Sequence, residues 1–357
     1  MKLFEIDGKV YNPLGGGSYV YKDCFMDYIV KQLKKDKVKI SIGAQPNSSP
    51  HFGTITVFSL AFGIAKILKE EYKKEVTVFF EMIDTAPSYT EEINGIKYQK
   101  SLRNTNKLLE YLPQYYEMLE LLSKYTNVDY EVRRQEEFNK HEGIPEIVSQ
   151  IIEKRDILGP ILEPNKEKIR IRSSCPKCGL ADKNGINNIY SNGKLICICP
   201  IHGEYTVDIK DESFKLEYNT PIRNLIRAMI YSQDNLNESL NFEWLRITGV
   251  DYAGFYQEQI LYKPADILGV RANELPIIIY SPLILDWSGA KLSKSLYVKK
   301  GAYRDLPEYI QNYEKLINCK GIEGLYLVYN EVYSWIKEPY KLFRNYSIYY
   351  FINIFEK

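Results

Sequence analysis

The chain has 357 residues, a length that allows two or three packed units and a sizeable core. Hydrophobic residues make up 45% and charged residues 26%, a mixture that excludes a disordered or collagen-like chain. Lys+Arg 47 against Asp+Glu 46 leaves a formal charge of +1, which excludes a basic coat that binds nucleic acid by charge alone.

The first residues, MKLFEIDGKVYNPLGGGS, carry no apolar core of a signal peptide. The apolar run from Leu275 to Leu285 is interrupted by proline and falls short of the roughly 20 residues of a membrane span. The expectation is a cytoplasmic protein with no membrane segment.

In chain order, Asp27 to Leu33 has helical spacing, and the alternation Val38, Ile40, Ile42 reads as a strand. Gln45 to Pro50 (QPNSSP) breaks regular structure, and Val57, Leu60, Ala61, Ile64 and Leu68 then recur at helical spacing. Glu75 to Phe80 (EVTVFF) reads as a second strand, so strand, helix and strand follow in the order of a right-handed βαβ unit of a parallel sheet. Leu102 to Lys124 and Ile144 to Leu158 read as helices. From Glu163 to Ile209 short strands and turns surround the cysteines. A helix around Ile222 to Ile230, the run Trp244 to Asp251, a strand at Ile277 to Tyr280 and the polar loop Trp287 to Ser295 read as the sheet resuming. The expected architecture is one α/β domain split by an insertion: 1–124 and 216–300 as its halves, 125–215 as the insertion, and 301–357 as a helical tail.

Of six cysteines, Cys24 and Cys319 stand alone, and Cys175, Cys178, Cys197 and Cys199 fall close together. Cys175-Pro-Lys-Cys178-Gly and Cys199-Pro-Ile-His202-Gly form two facing knuckles, the layout of a zinc ribbon at about 165–210. Each tight turn directs two soft ligands at one tetrahedral ion, and the glycine permits the turn. Cys175, Cys178, Cys199 and His202 are the expected ligands of a structural Zn²⁺, with Cys197 to spare.

Pro46-Asn47-Ser48-Ser49-Pro50-His51-Phe52-Gly53-Thr54 lies between a strand and a helix, where backbone N–H groups and the positive helix end meet an anion. Gly53 would let a ligand approach the backbone, and His51 could donate to a phosphate oxygen. An N-capped helix with an ordinary histidine would look the same. Lys291-Leu292-Ser293-Lys294-Ser295, after Ser288-Gly289-Ala290, has the ammonium groups and hydroxyls that suit a triphosphate, although such a run is also what a solvated loop looks like.

Taken together, HFGT and KLSKS in this order, on an α/β frame with a zinc insertion, resemble the HIGH and KMSKS signatures of class I aminoacyl-tRNA synthetases. The chain looks most similar to the archaeal-type, class I lysyl-tRNA synthetases, over about residues 20 to 300. The resemblance implies a Rossmann-like parallel sheet of the nucleotidylyl transferase type. It further implies that ATP with Mg²⁺ is bound by Pro46, Asn47, His51, Gly53, Thr54, Gly249, Asp251 and Ser293. His51, Lys291 and Lys294 would be the catalytic groups, and Asp251 of Gly249-Val250-Asp251 would hold the ribose. An acid such as Glu81, Asp84 or Asp286 would read a cationic amino acid, lysine or another. Thr54 departs from the His or Asn usual at the last HIGH position.

The lysyl family continues past KMSKS into a large anticodon-holding domain. Residues 301–357 instead offer Tyr326, Tyr329, Tyr333, Trp335, Tyr340, Tyr346, Tyr349 and Tyr350, which suit a helical core, a homodimer face or base stacking. The expected activity is therefore ATP-dependent formation of an aminoacyl-adenylate, with tRNA or a small-molecule, peptide or carrier-protein acceptor. The alternative is a catalytically silent synthetase paralogue acting as an RNA- or protein-binding module.

Overall fold

A computed structural model describes residues 10–11, 25–164, 168–254, 256–292 and 306–357. The amino-terminal half holds β1 (Val10–Tyr11), α1 (Phe25–Gln32), β2 (Lys37–Ala44), α2 (Phe52–Glu70), β3 (Glu75–Met82), β4 (Pro87–Ile93), β5 (Ile96–Ser101), α3 (Lys107–Thr126) and β6 (Asp129–Arg134). Then come α4 (Ile144–Glu153), α5 (Arg155–Leu162) and the short strands β7 (Ile171–Ser173), β8 (Leu180–Asp182), β9 (Ile189–Ser191), β10 (Lys194–Cys199), β11 (Gly203–Asp208) and β12 (Leu216–Tyr218). The rest includes α6 (Thr220–Leu236), β13 (Phe242–Gly249), β14 (Ile277–Ser281), β15 (Ile284–Leu285), α7 (Tyr313–Lys337), β16 (Tyr346–Ser347) and α8 (Ile348–Glu356), with shorter helical turns between them.

Six strands form the central sheet in the order β1-β14-β13-β2-β3-β6, and every neighbouring pair is parallel. Parallel strands need crossovers that cover both faces, so their side chains are apolar on both sides. Val78 and Phe80 of β3, Leu245 and Ile247 of β13, and Ile277 and Ile279 of β14 pack into one core with α1, α2, α3 and the carboxy-terminal helices. Their alternates Phe79, Trp244, Ile278 and Tyr280 pack into a second core with α4, α5, α6 and the cysteine segment. From β2 the chain moves outward through β3 and β6, then returns to β2's other edge with β13 and β14. The order reverses between β2 and β13, which opens a crevice at their carboxyl ends.

Several elements differ from the expectation. Leu102–Asn104 is a single 3₁₀ turn, and α3 starts only at Lys107. The run from Ile144 to Leu158 is two helices that meet at Lys154, whose φ of −94° and ψ of 18° leave the helical region. The hairpin β4–β5 turns at Asn94-Gly95, with φ of 51° and 76°. Its β5 pairs with β8, so residues 87–101 join the cysteine segment's sheet.

The tail is not an appendage. Tyr313, Tyr329, Trp335 and Tyr346 are buried in the same core as α2, whereas Tyr340 and Tyr349 stand exposed. Among the described residues, α2 is the one helix long and apolar enough to cross a membrane, and 72% of its most apolar stretch is buried inside the fold. Trp335 stacks on Tyr346 with ring centres 4.4 Å apart and donates its indole N–H to Glu331 Oε1 at 2.9 Å. Trp335→Ala should lower the unfolding free energy by about 3–5 kcal/mol, measured by urea denaturation; a loss below about 1 kcal/mol would mean the tail is detachable.

Candidate functional site

The crevice between β2 and β13 is a cleft of about 590 Å³. From the β2–α2 side it is lined by Gly43, Gln45, Asn47, His51, Gly53 and Thr54. The first turn of α2 has N–H groups that no preceding turn can satisfy, and they give this wall its positive end. His51 is the N-cap of α2 with extended backbone (φ −73°, ψ 162°), and the amides of Thr54 and Ile55 both donate to its carbonyl at 2.8 and 3.2 Å. Pro46 is buried under the loop and does not line the cleft.

Thr248, Gly249, Asp251 and Tyr252, at the end of β13 and in the turn after it, form the opposite wall. A Cβ at Gly249 would meet Asp251 Oδ1, so a side chain there would displace the Asp251 carboxylate from its present place. Lys291 closes the cleft from a third side and forms an ion pair with Asp251. It sits on a tight loop in which Asp286 N donates to the Ala290 carbonyl at 2.8 Å and Leu292 N to that of Ile284 at 2.8 Å. Three segments far apart in sequence therefore meet around one volume. Ser293 and Lys294 lie outside the described residues, as does Cys24.

The three acids expected to read a cation do not line the cleft. Glu81 is buried on the sheet face under α6, where both carboxylate oxygens accept from Arg133 and one accepts from Tyr231 at 2.7 Å; Arg227 stands 3.7 Å away. Burial pushes its carboxyl up, but Arg133 and Arg227 more than offset this and hold it low. Asp286 Oδ1 accepts from Ser288 N, Ser288 Oγ and Ala290 N at 2.9, 2.6 and 3.2 Å, which shapes the loop carrying Lys291. Asp84 is buried at the end of β3, and burial pushes it up to about 6 against the pull of Arg103 and Arg134.

The cleft also uses Thr248 and Tyr252, which the sequence reading did not single out as site residues. Their signal is their place in the chain: Thr248 and Tyr252 flank the Gly249-Val250-Asp251 element.

A second constellation lies in the cysteine segment. The Sγ atoms of Cys175, Cys178 and Cys199 and a ring nitrogen of His202 all lie within 4.8 Å of one another. Cys178 Sγ to Cys199 Sγ, Cys175 Sγ to His202 Nδ1 and Cys199 Sγ to His202 Nδ1 are each 3.6 Å. Tetrahedral Zn–S bonds of about 2.3 Å put sulfurs about 3.7 Å apart, so the donor set fits such an ion. Gly179 and Gly203 both have φ of +77°, the left-handed turn that each knuckle needs. Cys199 pairs with Gly203 across the β10–β11 turn. Cys197 points into the second core, where burial pushes its thiol up to about 11, and it is not among the cluster's donors. Glu217 ties this segment to the rest: it accepts from Ser174 at 2.7 Å and from Ser101 at 3.1 Å and pairs with Arg103 and Arg172 at 3.0 and 3.3 Å.

No protein-family model matches the sequence, and no curated protein matches it. Solved structures similar to it include aminoacyl-tRNA synthetases. A tyrosyl-tRNA synthetase from Archaeoglobus fulgidus, complexed with L-tyrosine, has 11% identity and a TM-score of 0.39, with 92% of each chain covered. A protein described as an arginyl-tRNA synthetase from Campylobacter jejuni has 9% identity and a TM-score of 0.38, covering 85% of this chain and 68% of that one. A glutamate-tRNA synthetase from Elizabethkingia anophelis has 15% identity and a TM-score of 0.34, and this chain spans 54% of its length. The functional reading therefore rests on the cleft and not on these likenesses.

Two measurements follow from this geometry. Because the folded pKa of Asp84 is raised, the stability due to its neutral form is present below about pH 4 and is lost as pH rises through about 6. Asp84→Asn should therefore stabilise the protein by up to about 3 kcal/mol at pH 7.5 and by nothing at pH 4; an equal effect at both pH values would contradict the burial account. Elemental analysis should find one zinc ion per chain. Its removal, or Cys178→Ser, should abolish hydrogen-exchange protection of β9–β11 while β2 and β13 stay protected; unchanged protection in a metal-free chain would refute a structural ion.

Proposed function

We propose that this cleft binds ATP and an amino acid and joins them as an aminoacyl-adenylate, in the manner of a class I aminoacyl-tRNA synthetase. The observation that carries the reading is the convergence of His51, Asp251 and Lys291 on one cleft at the reversal point of a parallel sheet. On this reading the first turn of α2 and His51 meet the phosphates, with Asn47, Gly53 and Thr54 shaping that wall and Pro46 bracing the loop beneath it. Asp251, presented by Gly249, accepts from the ribose hydroxyls. Lys291, Ser293 and Lys294 stabilise charge on the departing pyrophosphate, which ATP carries with Mg²⁺.

No side chain acts as nucleophile. The amino-acid carboxylate attacks the α-phosphorus, a new P–O bond forms, and the bond to pyrophosphate breaks with its electron pair leaving on the pyrophosphate oxygen. Catalysis is then positioning and charge stabilisation. Asp251, paired with Lys291, would exchange that partner for the ribose and so release an ammonium group toward the phosphates. The cluster of three cysteines and His202 would hold a structural Zn²⁺, folding a segment with little core of its own. The acceptor is tRNA or a small molecule, a peptide or a carrier protein, and the site of action the cytoplasm.

The test is amino-acid-dependent ATP–pyrophosphate exchange by folded, metal-loaded protein across all amino acids. Exchange with one amino acid is expected, and no exchange with any would favour the silent, RNA- or protein-binding paralogue. His51→Ala and Lys294→Ala should each lower the exchange rate by about 100-fold, roughly 3 kcal/mol at the transition state, with Tm unchanged; full turnover in either variant would remove that residue from the mechanism.

A further inference from the structure

The charges of the cleft are committed, and one end of it is apolar. Among the described lining residues, leaving His51 aside, the charged side chains are Asp251 and Lys291, and they pair with each other. With ATP bound in the manner proposed above, the ribose takes Asp251 and the phosphates take Lys291 and His51. Glu81, Asp84 and Asp286 are not among the lining residues. None of the described lining side chains is then left to balance a charge on the amino acid.

The layout across the sheet places that amino acid. Neighbouring strands follow in the order β14, β13, β2, β3, spaced about 4.8 Å apart. Pro282 and Leu283 come directly after β14, Asp251 after β13, and the loop after β2 leads to His51; all four line the cleft. Base, ribose and phosphates laid along that order leave the β3 end for the amino acid. In-line attack asks for the same placement, because pyrophosphate departs on the Lys291 side and the attacking carboxylate must come from the opposite one.

The β3 end is lined by Ala44, Val57, Phe58, Ile83 and Tyr115. Ile83 comes directly after β3, and its N–H donates to the Ala44 carbonyl at 3.0 Å. Ala44 and Val57 are half-buried, and Ile83 is buried except for a small part of its surface. Behind them Phe58 meets Phe80 edge-on with ring centres 5.3 Å apart, and Tyr115 stacks on Phe80 at 5.5 Å. The Tyr115 hydroxyl donates to the Gln45 carbonyl at 3.4 Å, so the one polar atom among these five side chains is engaged. An ammonium or carboxylate group moved from water against this wall would lose hydration and gain no partner. A hydrocarbon side chain gains from the same move.

We propose that Ala44, Val57 and Ile83, backed by Phe58 and Tyr115, seat the side chain of an apolar amino acid and that this wall sets the specificity of the cleft. This rests on the reading that the cleft activates an amino acid, and it replaces the cationic substrate that the lysyl resemblance implied.

The experiment is calorimetric titration of the full-length, metal-loaded protein, saturated with a non-hydrolysable ATP analogue. Valine, leucine, isoleucine, methionine and phenylalanine are compared with lysine, arginine, aspartate, glutamate and glutamine. One of the first five should bind at least 30-fold more tightly than any of the second five. Ile83→Ala should weaken that amino acid by about 10-fold or more, in line with lost methylene contacts, and Ala44→Leu, which fills the seat, should weaken it at least as much. Both variants should bind the ATP analogue within twofold of the unmodified chain. Tighter binding of a charged amino acid or of glutamine, or no binding of any of the first five, would overturn the proposal, as would an unaltered amino-acid affinity in both variants. Should the variants fail to fold, the selectivity of the unmodified chain decides. Pyrophosphate exchange separates the two readings: exchange with a charged amino acid keeps activation and discards the apolar seat, whereas tight binding of an apolar amino acid without exchange does the reverse.

Discussion

A parallel sheet whose crossovers leave one strand in opposite directions cannot close its surface at that strand's carboxyl end, and here the strand is β2. The chain leaves it toward β3 and β6 and later returns to its other edge with β13 and β14. The loop after β2 and the turn after β13 are thereby pushed apart, and the gap between them is the cleft. Gly43, His51 and Asp251 face one volume because of that reversal. Both faces of the sheet must then be covered, which explains why α2 and the carboxy-terminal helices fill one side while α6 and the cysteine segment fill the other.

The two covering layers are held by different physics. The α2 side is a hydrocarbon and aromatic core, with Trp335 against Tyr346 and Phe52 against Phe351. The α6 side contains buried ions: Glu217 gathers Arg103 and Arg172, Glu81 gathers Arg133 and Arg227, and Arg223 stands beyond both. Buried ion pairs cost desolvation that only well-made geometry returns, so this layer depends on its side chains keeping their partners. The polar layer also joins the cysteine segment to Ser101 and Arg103 through Glu217.

Much of this was legible in the sequence. Alternation in Val38, Ile40, Ile42 and in EVTVFF, with the apolar helix between them, gave the βαβ unit, and the two knuckle spacings gave the donor set of the metal cluster. What stayed hidden depended on three-dimensional proximity. Asn94-Gly95 was a readable hairpin signal inside a stretch treated as part of the first half-sheet, and only its pairing with β8 shows that it grips the cysteine segment. Glu81 read as a free acid at a strand end because its partners Arg133, Arg227 and Tyr231 come from three later elements. The tyrosines of the tail gave no hint of which would be buried, since packing in the core shared with α2 takes Tyr329 and Tyr346 inside and leaves Tyr340 and Tyr349 exposed.

The central claim is that the β2–β13 crevice is a nucleotide site with Asp251 at the ribose. A crystal structure with a non-hydrolysable aminoacyl-adenylate analogue tests it most directly. The account predicts the phosphate against the first turn of α2 and His51, the ribose hydroxyls within hydrogen-bond distance of Asp251, and Lys291 released from Asp251 toward the phosphate. An analogue bound elsewhere on the molecule, or one lying in the crevice with Asp251 still paired to Lys291, would contradict it.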